Sequence, residues 1–274
     1  MTFTASAPAS SANLGPGFDF IALALEMRCR VSVAPEAEWS VPLEARAIVR
    51  STAAAVGVEQ PFRVTVDSAI PMGRGLGSSA ALAVATAGAV LRATDREPDP
   101  AAVFRAAAAV EGHPDNAAAA VYGGLVGVAG AVVHRLTLAP DLLVVLAVPN
   151  RTLATAEARD ALPATLPHAA AARSAARAAF LVEGLRTGSA AMLAAAGGDE
   201  LHEGPRASLS PMTADLIAAA RRAGALHASW SGAGPAVVAI VTSDTADGVA
   251  GALGDAIARE GHVLRPAIAA TGLQ

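Results

Sequence analysis

Residues 71–81 read Pro71-Met72-Gly73-Arg74-Gly75-Leu76-Gly77-Ser78-Ser79-Ala80-Ala81, with three alternating glycines and two serines before an alanine-rich segment. This glycine-rich loop follows a predicted strand and opens a predicted helix that runs to about Thr94. Glycines at alternate positions let backbone N–H groups converge on an anion without obstruction by side chains. The helix N-terminus adds unpaired donors and the positive end of a dipole. The loop therefore predicts a phosphate-binding site and not a plain turn.

Two common nucleotide-binding loops do not fit this stretch. The dinucleotide fingerprint needs a glycine where Ser78 stands, and the Walker loop needs a lysine before its serine or threonine. The chain has no lysine, because all 20 basic residues are arginine. A phosphate-binding loop that depends on lysine is therefore excluded, and one of the hydroxyls of Ser78 and Ser79 can cap the helix while the other can reach a metal ion.

Strands and helices are mixed on both sides of the glycine-rich loop. Period-two alternation and turn residues predict strands at 2–7, 27–33, 62–67, 123–128, 132–138, 142–148, 226–230, 236–242 and 263–269. Capping and breaker residues predict helices at 43–56, 100–110, 152–161, 168–196, from 211 onward, and at 245–259. Residues 8–19 are predicted to be a turn-rich segment. Strict βαβ alternation is missing, which favours an α+β fold.

Composition and charge exclude several classes of protein. Hydrophobic residues make up 53% and charged residues 16%, as in a folded domain. The longest apolar runs, 80–91 and 142–148, are shorter than the roughly 20 residues of a membrane span, and no secretion signal is visible. The net charge is -4 without a basic block, so no nucleic-acid partner is expected. Cys29 is the sole cysteine and is predicted to be a core thiol. We expect a cytoplasmic protein with no membrane partner.

Three segments together carry a family resemblance. The glycine-rich loop resembles the ATP-phosphate motif of the GHMP kinases, which are named for galactokinase, homoserine kinase, mevalonate kinase and phosphomevalonate kinase. Residues 7–19, APASSANLGPGFD, resemble the N-terminal motif of that family in its homoserine-kinase form, and residues 231–235, SGAGP, resemble its C-terminal glycine motif. The resemblance implies a GHMP kinase two-domain fold, with an N-terminal ribosomal-S5-like domain at 1–149 and a C-terminal ferredoxin-like α/β sandwich at 150–274.

The resemblance also implies ATP and Mg²⁺ in a cleft between the two domains. The nucleotide-binding residues implied are Pro71, Gly73, Arg74, Gly75, Leu76, Gly77, Ser78 and Ser79. Ser79 and Glu111 would hold a Mg²⁺ ion that bridges the nucleotide phosphates. Family members usually carry an Asn-Leu pair beside the purine, whereas this chain has Pro42-Leu43-Glu44 in a short region. The contacts to adenine are therefore expected to be rebuilt.

Residues 111–116, EGHPDN, resemble the homoserine-kinase signature. Relatives of the mevalonate type carry an aspartate there that can act as a base. Asn116 can orient a hydroxyl through hydrogen bonds but cannot take its proton at neutral pH. The predicted catalytic residues are Asn116, Glu111 and Ser79. Catalysis would then rest on positioning and charge neutralisation, which suits a loose phosphoryl-transfer transition state.

The resemblance implies that the acceptor is L-homoserine. Arg159 and Arg206 lie in segments that resemble its binding segments, and a planar guanidinium can hold a carboxylate by two parallel bonds. Asp19 would face the ammonium group, and His202 is expected to lie behind the site. The predicted substrate-binding residues are Asn13, Asp19, Asn116, Arg159, Arg206 and Gly232. A homodimer is what the family leads us to expect.

Three alternatives remain open at this point. The first is a kinase of the same family with another small hydroxylated acceptor, such as threonine or a sugar; the Arg159 and Arg206 pair favours a carboxylate over a sugar. The second is a non-catalytic ligand-binding homologue, against which the presence of Ser79 and Glu111 argues. The third is a structural oligomerisation module, which leaves the phosphate loop unexplained.

Overall fold

The computed structural model describes residues 1–274 and contains two antiparallel sheets with ten helices. The first sheet comprises β1 Phe3–Asn13, β2 Gly17–Pro35, β3 Phe62–Ser68, β4 Leu125–Ala129 and β5 Val132–Leu136. The second comprises β6 Leu143–Pro149, β7 His227–Trp230, β8 Val237–Val241 and β9 Gly261–Leu264. The helices are α1 Arg46–Ala55, α2 Ser78–Ala93, α3 Pro100–Glu111, α4 Asp115–Tyr122, α5 Thr155–Asp160, α6 His168–Thr187, α7 Ala190–Ala195, α8 Glu203–Arg206, α9 Pro211–Arg222 and α10 Ser243–Ile257. The predicted α+β class is confirmed.

The long strand β2 organises the first sheet. It pairs with β1 over most of its 19 residues, then with β4 through Ile21–Leu23 and with β3 through Cys29–Pro35. Helix α2 lies against β1 and β2 and is buried without a break from Ala80 to Leu91. Its many alanines permit this close approach, because a small side chain lets a helix backbone lie near its neighbours. The N-terminus of α2 is thereby fixed beside the glycine-rich loop.

The second sheet is buried on both faces. Alternate residues of β6 and β8 point to opposite sides, as the period of a strand requires. One set, which includes Leu146 and Val238, belongs to a core that continues into the N-terminal half. The other set, which includes Ala147 and Val237, packs in a second core with residues of α9 and α10. The predicted domain boundary at 149/150 falls directly after β6, whose partners β8 and β9 come from the C-terminal half. None of the helices combines the length and the apolar character needed to cross a membrane.

Several local predictions are wrong. Residues 115–122 form α4, a helix that was not predicted, and its small alanines let residues 115–121 be buried. The predicted turn at 8–19 is mostly strand, since β1 continues to Asn13. The predicted helix 168–196 breaks at Gly188, which has φ 71°, and Ser189 then caps α7. The predicted last strand ends early, at Leu264.

The buried side chain of His227 makes a pH-dependence test possible. Its Nε2 lies 2.9 Å from the Leu14 carbonyl and its Nδ1 3.1 Å from the Leu193 carbonyl. Burial lowers the pKa of His227 to about 4 from 6.5, although both carbonyls oppose this. Between these values the unfolded chain binds a proton and the folded chain does not, so stability falls as the pH falls. From pH 7.5 to 5, this single group should cost about 2 kcal/mol.

We expect His227→Gln to remove that part of the acid sensitivity. Urea unfolding at the two pH values measures it: the wild type should lose about 2 kcal/mol more than the variant does. Equal losses in the two proteins would show that folding does not change the pKa of His227, and a smaller loss in the wild type would show that folding raises it.

Candidate active site

A polar cavity of about 180 Å³ lies where the two halves of the chain meet. The glycine-rich loop forms one wall, and the turn between β1 and β2 forms another. Residues of α5, α8 and the loop after β7 close the remaining sides. Backbone hydrogen bonds hold these walls together, such as those from Leu153 N to the Gly73 carbonyl, 3.0 Å, and from Gly232 N to the Ala12 carbonyl, 2.9 Å. The cavity is therefore built from segments far apart in the sequence.

Every residue predicted for the site lines this cavity, except Pro71 and Arg74. The guanidinium of Arg74 instead donates from Nε to the Pro149 carbonyl, at 3.0 Å, and from Nη2 to the Asn150 carbonyl, at 2.6 Å. It ties the glycine-rich loop to the end of β6. The lining residues that the sequence analysis did not assign to the site are Phe18, His113, Asp115, Leu153, Ala154, Thr155 and Ala233.

The two glycine motifs contact each other. Gly73, Gly75 and Gly77 have φ values of 67°, 74° and 65°, a left-handed region that side chains other than glycine rarely adopt. Ser231 Oγ donates to the Gly75 carbonyl at 2.7 Å, so the C-terminal loop braces the N-terminal one. The first turn of α2 is thereby held at the cavity wall, so the positive end of its helix dipole lies at the cavity.

Gly75→Ala should distort this contact. An added Cβ would collide with the Ser231 carbonyl oxygen and come 2.6 Å from Gly234 N, on a backbone whose φ already disfavours alanine. We expect a lower melting temperature and a KM for the nucleotide raised by at least about 10-fold, since backbone donors are displaced. Gly251→Ala is the matched control: Gly251 lies in α10 with nothing within 4 Å of its Cβ, so this change should stabilise the protein slightly. Similar behaviour of the two variants would contradict the contact.

Ser79 and Glu111 meet beside the glycine-rich loop at the cavity. Ser79 Oγ donates to Glu111 Oε1, across from the first turn of α2 to the last residue of α3. Burial raises the pKa of Glu111, while the Ser79 hydrogen bond and the nearby His113 lower it. No group of three or more His, Cys, Asp or Glu side chains is placed to hold a metal by itself. Two oxygen ligands beside a phosphate loop nevertheless fit Mg²⁺, which usually takes one or two protein oxygens, substrate phosphates and water.

The side chain of Asn116 is held in one orientation. Its Oδ1 accepts from Ser10 Oγ at 2.7 Å, and its Nδ2 lies 3.3 Å from Asp115 Oδ1. Asp115 Oδ1 is also 3.3 Å from His113 Nδ1. Burial lowers the pKa of His113, but the Asp115 hydrogen bond and the charges of Asp115 and Glu111 raise it above its ordinary value overall. Together these residues place an oriented amide and an imidazole beside the cavity.

Arg159 and Asp19 form an ion pair across the cavity mouth. The guanidinium contacts both carboxylate oxygens, at 2.7 and 3.1 Å, and each side chain is 34% exposed. The sequence analysis assigned these two groups to opposite ends of a substrate, and the pairing of one with the other was not expected. Asp19 has φ 61°, and this strained backbone is stabilised by a hydrogen bond from its N to Asn13 Oδ1 at 3.0 Å.

Arg206 is almost fully buried, with 1% of its surface exposed. It donates from Nε to the Ala158 carbonyl at 2.9 Å, and from Nη1 to the Gly232 carbonyl at 3.3 Å. His202 Nδ1 lies 3.0 Å from the same Nη1, and burial lowers the pKa of His202 to about 4, so the imidazole is neutral and accepts this bond. Burial lowers the pKa of Arg206 to about 10, which leaves it cationic at neutral pH. Nη2 makes no hydrogen bond within the protein and is left for a ligand in the cavity.

Comparison with known proteins shows which family the chain belongs to. The family model described as the GHMP kinases N terminal domain matches residues 44–124, and the one described as GHMP kinases C terminal matches residues 176–258. The chain belongs to the GHMP kinase family. This GHMP kinase is 37% identical over 251 residues to a homoserine kinase from Moorella thermoacetica, covering 85% of each chain. It is 38% identical over 264 residues to a homoserine kinase from Gloeobacter violaceus, covering 88% of each.

The GHMP kinase fold is also shown by a solved structure. The crystal structure of homoserine kinase from Cytophaga hutchinsonii superposes with a TM-score of 0.88 at 25% identity, covering 100% of this chain and 96% of that one. The family and the fold that the sequence motifs implied are therefore confirmed. The roles of individual site residues in this GHMP kinase stay predictions.

Proposed function

We propose that this kinase transfers the γ-phosphoryl group of ATP to the side-chain hydroxyl of L-homoserine, giving O-phospho-L-homoserine and ADP in threonine biosynthesis. One observation carries the proposal: an anion-binding glycine loop and a cluster of two arginines with a carboxylate line the same cavity. The first suits a nucleoside triphosphate, and the second suits the carboxylate and ammonium of an amino acid. The homoserine kinases among its relatives support the same reading.

At the phosphate end, the backbone of Gly73–Ser79 supplies donors to the phosphate oxygens. Ser79 and Glu111 would hold Mg²⁺, which would supply positive charge to neutralise the phosphates of the nucleotide. The imidazole of His113 lines the same cavity. The protein thereby reduces the charge repulsion that an incoming hydroxyl oxygen meets at the γ-phosphate.

We propose that adenine occupies a second, mostly apolar pocket of about 380 Å³ that shares Ser78 and Ser79 with the cavity. The other residues lining it are Cys29, Glu44, Ala45, Ile48, Val66, Ser68, Ile70, Met72 and Leu82. Burial raises the pKa of Cys29 to about 11, so this wall is a neutral thiol, as expected of a core cysteine. Apolar walls with a few polar groups are the usual environment of a bound purine. The short turn before α1 thus replaces the Asn-Leu pair that the family usually carries.

Ala45→Phe should fill this pocket. Ala45 is 3% exposed and lines it, so a phenyl ring there competes with the base. We expect the KM for ATP to rise by at least about 10-fold while the KM for homoserine changes little, because the two sites are separate. Ala54→Phe, on the exposed face of α1, is the control and should leave both constants unchanged. An unaltered KM for ATP in Ala45→Phe would place the base elsewhere.

At the acceptor end, Asp19 and Arg159 form an ion pair, and the same two charged groups can bind the ammonium and the carboxylate of a zwitterion. Homoserine carries the same two charges, so its ammonium can take the place of the guanidinium at Asp19. Its carboxylate can then bind Arg159 and the spare Nη2 of Arg206. This exchange leaves no charge unpaired, which an acceptor with only one of the two charges cannot achieve.

The reaction itself needs positioning more than a base. Asn116, fixed by Ser10 and Asp115, orients the homoserine hydroxyl for in-line attack. A bond forms between the hydroxyl oxygen and the γ-phosphorus as the bond to the β-phosphate oxygen breaks, and ADP leaves. Because the transition state is loose, the hydroxyl can keep its proton until late in the transfer and then release it to an oxygen of the transferred phosphoryl group or to water. No strongly basic side chain is required.

The test is ADP release by the purified protein with Mg-ATP and a panel of homoserine, threonine, serine, mevalonate and galactose. We expect the highest kcat/KM with homoserine, and a product of the mass of O-phosphohomoserine. Omission of Mg²⁺ with added chelator should abolish turnover. Higher turnover with threonine or another acceptor would replace homoserine as the substrate, and ATP binding without turnover on any acceptor would indicate a binding protein.

The proposed partners are these two substrates, with no nucleic acid and no membrane. We place the reaction in the cytoplasm, where ATP is available, and propose a homodimer as in the family. Light scattering coupled to size-exclusion chromatography decides the dimer, since a mass near 27.1 kDa would indicate a monomer.

A further inference from the structure

An aromatic ring occupies the centre of the cationic end of the cavity. The ring centroid of Phe18 lies 5.6 Å from the guanidinium carbon of Arg159 and 5.4 Å from that of Arg206. The imidazole of His202 stacks on the same ring, with centroids 5.1 Å apart and planes inclined by 26°. Phe18 therefore contacts both arginines of the proposed carboxylate site and the histidine that accepts a hydrogen bond from one of them.

Two cations so close together repel each other. The pKa of Arg206 is lowered first by burial and then by the charge of Arg159. Asp19 pairs with Arg159 through both carboxylate oxygens, whereas Arg206 has only neutral acceptors. The face of an aromatic ring carries partial negative charge and attracts a guanidinium within about 6 Å. The Phe18 ring thus attracts both guanidinium groups and offsets the repulsion between them. The backbone carbonyls, in contrast, contact only Arg206.

We propose that Phe18 is a positioning residue that holds Arg159 and Arg206 side by side as a single receptor for the carboxylate of the acceptor. This inference rests on the proposed homoserine site and adds Phe18 to it as the residue that positions the two arginines. Phe18 touches no reacting atom in this scheme; it acts through the two arginines.

The ring matters most when the acceptor binds. As the substrate ammonium takes Asp19, Arg159 gives up its carboxylate partner and faces Arg206 with less compensation. The side chain of Arg159 is 34% exposed and can swing toward water, whereas Arg206 is fixed by its bonds to backbone carbonyls. Contact with Phe18 keeps Arg159 in place until the substrate carboxylate arrives. Loss of the ring should therefore weaken binding of the carboxylate and not of the ammonium.

Phe18→Leu and Phe18→Tyr separate this role from simple packing. For Phe18→Leu we expect the KM for homoserine to rise about 10-fold, with kcat and the KM for ATP within about 2-fold of the wild type. The inhibition constant of 3-aminopropan-1-ol, which is homoserine without its carboxylate, should not change. Phe18→Tyr keeps the ring face and should restore the KM for homoserine. Equal weakening of homoserine and 3-aminopropan-1-ol would overturn the proposal.

A second substitution keeps the proposal testable if Phe18→Leu does not fold. Pentafluorophenylalanine at position 18 keeps a ring of similar size but removes the negative charge of its face. The same selective rise in the KM for homoserine is expected, and an unchanged KM would overturn the role of Phe18. Turnover of homoserine by the wild type is measured first, since its absence counts against the proposed function and not against this inference.

Discussion

Glu111→Gln should lower kcat by about 10³-fold at saturating Mg-ATP and homoserine, because it removes the single anionic ligand proposed for the metal. The neutral amide keeps the shape of the side chain and can still accept from Ser79. Burial raises the pKa of Glu111 because it removes water from the charged carboxylate, which destabilises the folded state. The neutral amide of the variant avoids this desolvation cost. The variant should therefore melt at the same temperature as the wild type or higher.

Steady-state kinetics over a range of Mg²⁺ concentrations measures the effect. The apparent affinity for Mg²⁺ should fall together with kcat, and a thermal melt of the same sample shows that the fold is intact. Glu97→Gln, an exposed glutamate after α2, is the control and should behave as the wild type. Full activity of Glu111→Gln at ordinary Mg²⁺ concentrations would remove Glu111 from the metal site.

Arg206→Ala should raise the KM for homoserine by about 10²- to 10³-fold, while the KM for ATP changes by no more than about 3-fold. The buried guanidinium serves the substrate and the protein at once. Its removal leaves the Ala158 carbonyl and the Nδ1 of His202 without a donor, while the Gly232 carbonyl keeps its bond from Asn13 Nδ2, so stability should also fall, by about 1–3 kcal/mol for each buried group left unpaired.

Comparison with Arg159→Ala separates these two roles of a buried arginine. Arg159 bonds only to Asp19 and is 34% exposed, so its loss should weaken homoserine binding with little change in stability. Arg222→Ala, on the exposed end of α9, should change neither property. If Arg206→Ala raised the KM values for ATP and homoserine equally, Arg206 would not be the carboxylate ligand. Unfolding curves in urea report the difference in stability.

The parts of the site that follow local sequence rules were predictable. Glycines that alternate before a helix N-terminus favour an anion site, and the residues that the family motifs indicated, Asn116, Arg159 and Arg206, line one cavity. The contacts of the Arg74 side chain were not predictable, because the direction of that side chain depends on the left-handed glycines on either side of it. Its guanidinium meets backbone carbonyls 75 residues away in the sequence, a contact that no local pattern encodes.

Contacts between distant segments account for the other misses. The ion pair of Asp19 with Arg159 joins residues 140 positions apart, and the contacts of Phe18 depend on the same turn. The strand at residues 8–13 was not predicted, because its small residues are buried on both faces and the sequence shows no alternation of apolar and polar residues. Helix α4 was not predicted for a related reason. A run of alanines shows little helical periodicity of apolar and polar residues, although it packs well against other small side chains.

The double burial of the second sheet has a consequence for synthesis on the ribosome. Strand β6 is made early, but its neighbour β8 begins at Val237, roughly 90 residues later, and β9 follows still later. At bacterial elongation rates that interval lasts about 5–20 s. During it the nascent N-terminal half carries an apolar strand with two unpaired edges, which is a template for aggregation. We therefore expect the N-terminal half cut off at residue 149 to aggregate when expressed alone, because β6 then has no partner strand.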